Sequence, residues 1–173
     1  IPVITTLLGI SSFPEDHVLS VGMPGMHGVA YASLAIEEAD LLIALGMRFD
    51  DRITGKSSEF AKSSRKIHVD IDPSEIGKNV AVDVPIVGDL KNVLDKMLPY
   101  IESNTHAEWV QNIETLKAEH PSLNIRDTDK LLPQYIIHEL SEATKGKAII
   151  VTGVGQHQMW AAQHYVYTEP RSW

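Results

Sequence analysis

Two arginines four positions apart, Arg48 and Arg52, bracket a pair of aspartates, Asp50 and Asp51, in the stretch GMRFDDR. A guanidinium binds oxyanions as a planar fork, so two of them in one loop suit a diphosphate or a carboxylate. The same four residues fit a solvated ion-pair cluster equally well. Two glycine-spaced stretches offer backbone to an anion instead. In VGMPGMHG (21–28) the glycines admit close backbone approach, and the run ends where a helix opens. In IIVTGVGQHQMWAAQ (149–163) an apolar run enters a glycine-spaced turn and then a helical pattern. Parallel α/β proteins present N–H groups to phosphate in this way. The GxGxxQ at 153–158 lacks the third Gly or Ala of the dinucleotide fingerprint, so alone it establishes nothing.

Other polar positions carry competing readings. Asp70, at the end of KIHVDID, is placed as an acceptor for a ribose hydroxyl would be. His68 and Asp70 share the face opposite Ile67, Val69 and Ile71, and a polar sheet edge explains them too. Asp72 and Asp89 read as helix caps or as ligands. His157 and His164 lie seven apart without a clustered acid or cysteine, a poor metal pattern. Met23, Met26 and Met159 read as core fillers.

The elements that must position these residues follow from apolar runs. PVITT (2–6), DLLIAL (40–45), KIHVDID (66–72) and VPIVGD (84–89) read as strands, with a helix expected from about His27 to Ala39. Continuous apolar strands alternating with helices predict an α/β fold, a doubly wound parallel sheet of Rossmann-like type. Asp72-Pro73-Ser74-Glu75 and Asp89 both carry helix-start signals. The chain divides into 1–101, a first α/β domain; 102–131, a linker with one polar helix over about 106–119; and 132–173, the first α/β unit of a second domain. That unit would comprise helix 133–146, strand 147–153, the glycine turn and a further helix. Ligands of open parallel sheets gather at the carboxyl ends of the strands, which here means Thr5–Gly9, Gly46–Arg52, Asp70–Asp72 and Gly88–Asp89. Together these describe a site for a large nucleotide.

Composition narrows the class. The 173 residues are 43% hydrophobic and 22% charged, ordinary for a globular chain. A net charge of −8 argues against nucleic acid or an anionic membrane as partner. The absence of cysteine removes disulfides, thiolate catalysis and zinc–thiolate sites. No apolar run approaches the ~18 residues a membrane-spanning helix needs. The chain opens on IPVITT, already a strand pattern, which predicts a piece of a longer protein.

The words GMPGMHG, ADLLIALGMRFDDRITGK, IHVDIDPSEIGKN and TGVGQHQMWAAQHY…PRSW closely resemble the catalytic large subunits of acetolactate (acetohydroxyacid) synthases. The resemblance covers nearly the whole chain and is weakest over 101–131. It implies a three-domain parent in which the middle domain binds FAD, and thiamine diphosphate lies between the first domain of one subunit and the third of its partner. By position it places Thr6, Leu7, Leu8, Gly25, Met26 and His27 against FAD. Gly46, Arg48, Asp50, Arg52 and Ile53 would line its ribitol and diphosphate, Asp70 and Ile71 its adenosine end, and Gly88 and Asp89 would close the site. Val154, Gly155, Gln156 and His157 match the segment that grips the phosphates of thiamine diphosphate. Met26, Asp51 and Arg52 match positions beside the substrate channel. Relatives often carry Met or Gln where Leu8 stands and Ala where Met47 stands.

The implied activity condenses two pyruvates, or pyruvate and 2-ketobutyrate, with loss of CO2, in branched-chain amino-acid biosynthesis. The implied cofactors are thiamine diphosphate, FAD and Mg²⁺. The family's ylide-promoting glutamate belongs to its first domain and its magnesium ligands fall beyond Trp173. No catalytic residue or metal ligand is therefore expected here, and the isolated stretch is expected to be inactive. The implied partners are 2-ketoacids, further copies in a homodimer or tetramer, and a regulatory small subunit, with no nucleic acid or membrane. The implied location is cytoplasmic in a bacterium or archaeon and organellar in a eukaryote. Another thiamine-diphosphate carboligase or oxidase, or a non-catalytic nucleotide-binding module, are the alternative readings.

Overall fold

The structure, a computed structural model, describes residues 1–173. It divides into two compact units, Ile1–Ser33 with Ala107–Trp173, and Leu34–His106. Helix α1 (Ala30–Glu38) belongs partly to each.

The Leu34–His106 unit is built on three parallel strands, β1 (Leu41–Leu45), β2 (Arg65–Asp70) and β3 (Val84–Val87), in the order β1-β2-β3. Ile43 pairs with Ile67, and Val69 with Ile86. This is an α/β fold on a parallel sheet, as the apolar runs predict. Between β1 and β2 lie the short helix α2 (Asp51–Thr54) and turns that bury Phe60 and Ala61. Lys66 is buried on β2, where its Nζ donates to the carbonyls of Ala61 (2.6 Å) and Ser64 (2.9 Å). The buried ammonium is thereby paired with backbone carbonyls of the preceding turn, that of Ala61 also accepting the Ser64 N–H at 3.2 Å. Helix α3 (Leu90–Met97) is capped by Asp89, whose Oδ1 accepts the Asn92 N–H at 3.0 Å.

The other unit contains α4 (Ala107–Glu119), α5 (Pro133–Thr144) and α6 (Gln156–His164). Pro133 opens α5, and the left-handed Lys145 followed by Gly146 (φ 67°) closes it. Ile10, Met23, Ala162, Tyr165 and Tyr167 form its core, with Leu7, Ile137, Ala148, Ile150 and Trp173 packed around them. Both buried tyrosines find partners. Tyr167 donates to the Ala161 carbonyl (3.2 Å), and the Tyr165 hydroxyl accepts the Ala148 N–H (3.0 Å).

Three local expectations change. Residues 2–6 form no strand beyond one isolated parallel bridge, Val3 to Ser20. Residues 147–153 form none either, although Ile150 N–H donates to the Ser172 carbonyl at 2.7 Å. Ile149 and Val151 stand 75% and 89% exposed. Both segments have strand composition but no neighbouring strand in the chain to pair with, and a strand exists only through its ladder. Residues 72–80 are turns rather than a helix, with Gly77 at φ 70°. A start signal cannot propagate where a glycine follows at once and little apolar surface is available to bury. No helix is long and apolar enough to cross a membrane.

Candidate cofactor site

The parallel order brings the carboxyl ends of β1, β2 and β3 side by side. Gly46 N–H donates to the Val69 carbonyl (2.8 Å) and Gly88 N–H to the Asp70 carbonyl (2.9 Å), so the three exits are locked in register. Gly46 turns the chain with φ 63°, and nothing lies within 4 Å of where its Cβ would stand. The glycine therefore serves the turn and leaves open space beside it.

Beyond Gly46 the loop carries its charges in an unequal arrangement. Arg48 pairs with Asp50, Nη2 to Oδ2 at 3.1 Å and Nε to Oδ2 at 3.2 Å. Asp50 also caps α2 by accepting the Arg52 N–H at 3.2 Å. Arg52 and Asp51 are exposed and form no ion pair. The surface-cluster reading thus reduces to one pair, with a free guanidinium beside it. Ile53 is half-buried behind them. On β2, Asp70 turns one oxygen to the Asp72 N–H (2.9 Å), and Ile71 is 70% exposed. Asp72 accepts the Ser74 N–H at 2.8 Å within the following turn. Hydrogen bonds from Ser74 hold its carboxyl below the usual range. On β3, Gly88 leads to Asp89, whose carboxylate is committed to the α3 cap. One edge therefore collects Gly46, Arg48, Asp50, Asp51, Arg52, Ile53, Asp70, Ile71, Gly88 and Asp89. A free cation, a carboxylate and an exposed apolar side chain there can hold the phosphate, sugar and ring of a nucleotide.

The remaining predicted residues lie in the other unit. Thr6 caps a 3-10 turn, Leu7–Gly9, by accepting the Gly9 N–H at 3.2 Å. Leu7 packs on the Tyr165–Tyr167 core, and Leu8 is 89% exposed. Gly25 has φ 89° and donates its N–H to Ser33 Oγ at 3.0 Å. Met26 is largely exposed, not a core filler. The His27 carbonyl accepts from Gln163 Nε2 at 2.6 Å, which ties the Met26–His27 loop to α6. At the start of α6, Val154 is exposed and Gly155 (φ 156°) supplies no side-chain cap. The first-turn amides of Gln156 and His157 then point out of an uncapped helix end, the electropositive terminus suited to phosphate. His164, on α6, is held below the usual histidine range by burial and by His138. No group of three or more His, Asp or Glu side chains is placed to hold a metal ion.

Two residues escaped the sequence reading, and a third, His68, was read there only as part of a polar sheet edge. Gln163 lies inside the quoted GQHQMWAAQ stretch, but only the fold shows its link to His27. His68 and Asn79 support the arginine loop from below: His68 Nε2 meets the Met47 carbonyl at 2.7 Å, and Asn79 Nδ2 donates to the Arg48 carbonyl at 3.1 Å. The available signal was a histidine set between the aliphatic Ile67 and Val69.

Residues 1–97 match the family described as thiamine pyrophosphate enzyme, central domain. Over its whole length the chain is 50% identical to acetolactate synthase 1, chloroplastic, of Zea mays, of which it covers 28%. It is 48% identical to the acetolactate synthase large subunit of Corynebacterium glutamicum and 46% identical to acetolactate synthase of Mycobacterium bovis, covering 29% of each. The chain thus spans less than a third of the length of these curated relatives.

Proposed function

The chain belongs to the thiamine pyrophosphate enzyme family, and on that premise we propose that it forms part of an acetolactate synthase catalytic subunit. The parent reaction joins two 2-ketoacids, pyruvate with pyruvate or with 2-ketobutyrate, releases CO2, and serves branched-chain amino-acid biosynthesis. Similarity to acetolactate synthases over the whole chain supports this reading. The observation that carries it furthest is the sheet edge, where the unpaired Arg52 lies in one loop with Arg48, the loop that follows β1 at the carboxyl end where β2 closes on Asp70.

That edge fits FAD. Arg48 and Arg52 would take its diphosphate, Asp70 a ribose hydroxyl and the exposed Ile71 the adenine face. Asp50 and Asp89, already engaged as caps, would act by fixing the backbone around them. The resemblance also assigns Thr6–Leu8 and Gly25–His27, in the other unit, to FAD contacts. The uncapped end of α6 fits the diphosphate of the thiamine cofactor, held by backbone at Val154–His157. Thiamine diphosphate supplies the electron sink for decarboxylation, and FAD is structural. Magnesium belongs to residues elsewhere in the parent. Residues 1–101 form part of the FAD-binding domain, 102–131 a linker and 132–173 the opening of the thiamine domain, a division supported by the family match ending at 97. The resemblance assigns Met26, and separately Asp51 and Arg52, to positions beside the parent's substrate channel. The parent works as a homodimer or tetramer, with a regulatory small subunit, in the cytoplasm or an organelle according to its source.

The test is product formation by the full-length protein. With pyruvate, thiamine diphosphate, Mg²⁺ and FAD it should release CO2 and acetolactate in equal amounts. Acetyl phosphate or peroxide in place of acetolactate would assign an oxidase instead. Cofactor titrations locate the two sites. Arg52→Ala should cost about 1.5–3 kcal/mol of FAD binding, the range for charged hydrogen bonds. Arg48→Ala should cost less, because Asp50 already shares that guanidinium. Gly155→Val should weaken thiamine diphosphate at least ~10-fold, since a Cβ would crowd the His157 ring at 3.0 Å and the backbone disfavours a side chain. Unchanged FAD affinity in both arginine variants would remove the diphosphate clamp, and unchanged thiamine affinity would remove the α6 site.

A further inference from the structure

We propose that His68, fully buried beneath the sheet edge, is the positioning residue that sets the arginine loop, donating from Nε2. It rests, for its functional consequence, on the reading of that loop as a cofactor clamp. The proton assignment follows from the partner. Met47 offers a carbonyl oxygen 2.7 Å from Nε2, and a carbonyl only accepts, so Nε2 carries the hydrogen. Nδ1 is buried without a hydrogen-bond partner. A buried polar atom left bare is costly, so an aliphatic residue would serve a purely space-filling role better. What the imidazole adds is the tether to Met47 and a ring for Phe49.

The tether matters because of where it acts. Three consecutive loop residues are each held from a different side: Gly46 N–H by the Val69 carbonyl (2.8 Å), Met47 C=O by His68, and Arg48 C=O by Asn79 Nδ2 (3.1 Å). Phe49 follows with φ 51°, a conformation that a non-glycine residue adopts only when its surroundings impose it. Its ring is 2% exposed and meets His68 edge-on at 5.0 Å and Phe60 at 5.8 Å. Anchoring Phe49 inward turns Arg48 and Asp50, its neighbours on either side, outward. Asp50 then caps α2 and fixes where Arg52 begins. His68 therefore touches no cofactor itself and sets the direction of the groups that would.

The experiment uses the full-length protein and four variants. His68→Gln retains an amide donor that can reach Met47, His68→Leu fills the space without a donor, Asn79→Ala removes the exposed tether, and Arg52→Ala removes the free guanidinium. Hydrogen exchange in the absence of cofactor reads the loop independently of any ligand. His68→Leu should speed exchange at residues 47–52 roughly tenfold and leave 41–45 and 65–70 unchanged, His68→Gln should restore most of the protection, and Asn79→Ala should give a smaller rise over the same residues. FAD titration then reads the consequence. His68→Leu should weaken FAD in the parent background and add little in the Arg52→Ala background, a non-additivity that general destabilisation would not produce. Faster loop exchange with unchanged FAD affinity leaves the positioning role standing and overturns the clamp reading. Unchanged exchange at 47–52 in His68→Leu overturns the proposal. If that variant does not fold, His68→Met, which also fills the space without a donor, takes its place, and unchanged exchange at 47–52 in it overturns the proposal.

Discussion

Gly28→Ala is expected to remove about 3 kcal/mol or more of stability, among the larger effects of a single methyl group. The reason lies in how GMPGMHG folds. The chain doubles back so that Val29 N–H reaches the Met23 carbonyl (2.8 Å) and Gly28 N–H reaches the Gly25 carbonyl (3.0 Å). A Cβ on Gly28 would overlap the Met23 carbonyl oxygen and stand 2.6 Å from the carbonyl carbon of Pro24. Both obstacles are backbone, which cannot swing aside as a side chain can. Met23 and Val29 are buried, so opening the loop would disturb the packing on either side of it. Gly55→Ala is the comparison. It also places a side chain at positive φ (57°), but into open space, and should cost only about 1 kcal/mol of backbone strain. For a protein of this size the two differ by about 4–8 °C in melting temperature. A Gly28→Ala melt no lower than that of Gly55→Ala would show that the loop does not pack as described. The sequence reading assigned these glycines to approach of backbone toward a ligand; at Gly28 the backbone approached is the protein's own.

The same distinction decides which parts of the fold were legible from residues alone. LLIAL, KIHVD and VPIV were readable as strands because three such runs lie close enough in the chain to pair with one another. PVITT and AIIVT have the same composition, and nothing in either stretch reveals whether a partner strand is present. Asp89 and Asp72 carry similar start signals, but apolar Val93, Leu94 and Met97 at helical spacing follow the first, and Gly77 follows the second. The charged residues at the strand exits were legible as a group because parallel topology determines where exits gather. Their division of labour was not. Which arginine is neutralised depends on the Arg48–Asp50 geometry, and what holds the loop depends on His68 and Asn79, 20 and 31 residues beyond Arg48. Long-range contacts of single polar side chains leave no periodicity to read.

Glu15 carries the second large effect, and its sign is opposite to that of an ordinary salt-bridged carboxylate. Burial pushes its carboxyl from 4.5 up to about 7, with the hydrogen bond from Tyr167 N–H pulling part of the way back. The contact is reciprocal: Glu15 N–H donates to the Tyr167 carbonyl (2.9 Å), and Tyr167 N–H donates to Glu15 Oε2 (3.0 Å). The groups around it are the phenols of Tyr31 and Tyr167, both held above the usual tyrosine range by burial and by the Glu15 charge, with Glu114 acting on Tyr31 as well. No cation faces it. A carboxyl whose folded value exceeds its unfolded one stabilises fully below the unfolded value and loses that contribution as pH rises through the folded value. Stability of the part of the fold that contains Glu15 should therefore fall between about pH 4.5 and 7, by about 3 kcal/mol in all, since each tenfold change in proton affinity is worth about 1.4 kcal/mol. Glu15→Gln keeps an oxygen for the Tyr167 N–H and carries no charge at any pH. It should match the parent at pH 4.5 and exceed it by about 6–12 °C in melting temperature at pH 8. Taking the difference between the two proteins cancels the histidines that titrate over the same range. A difference that stays constant from pH 4.5 to 8 would mean that Glu15 is solvated, and that the Glu15–Tyr167 contact is open in solution.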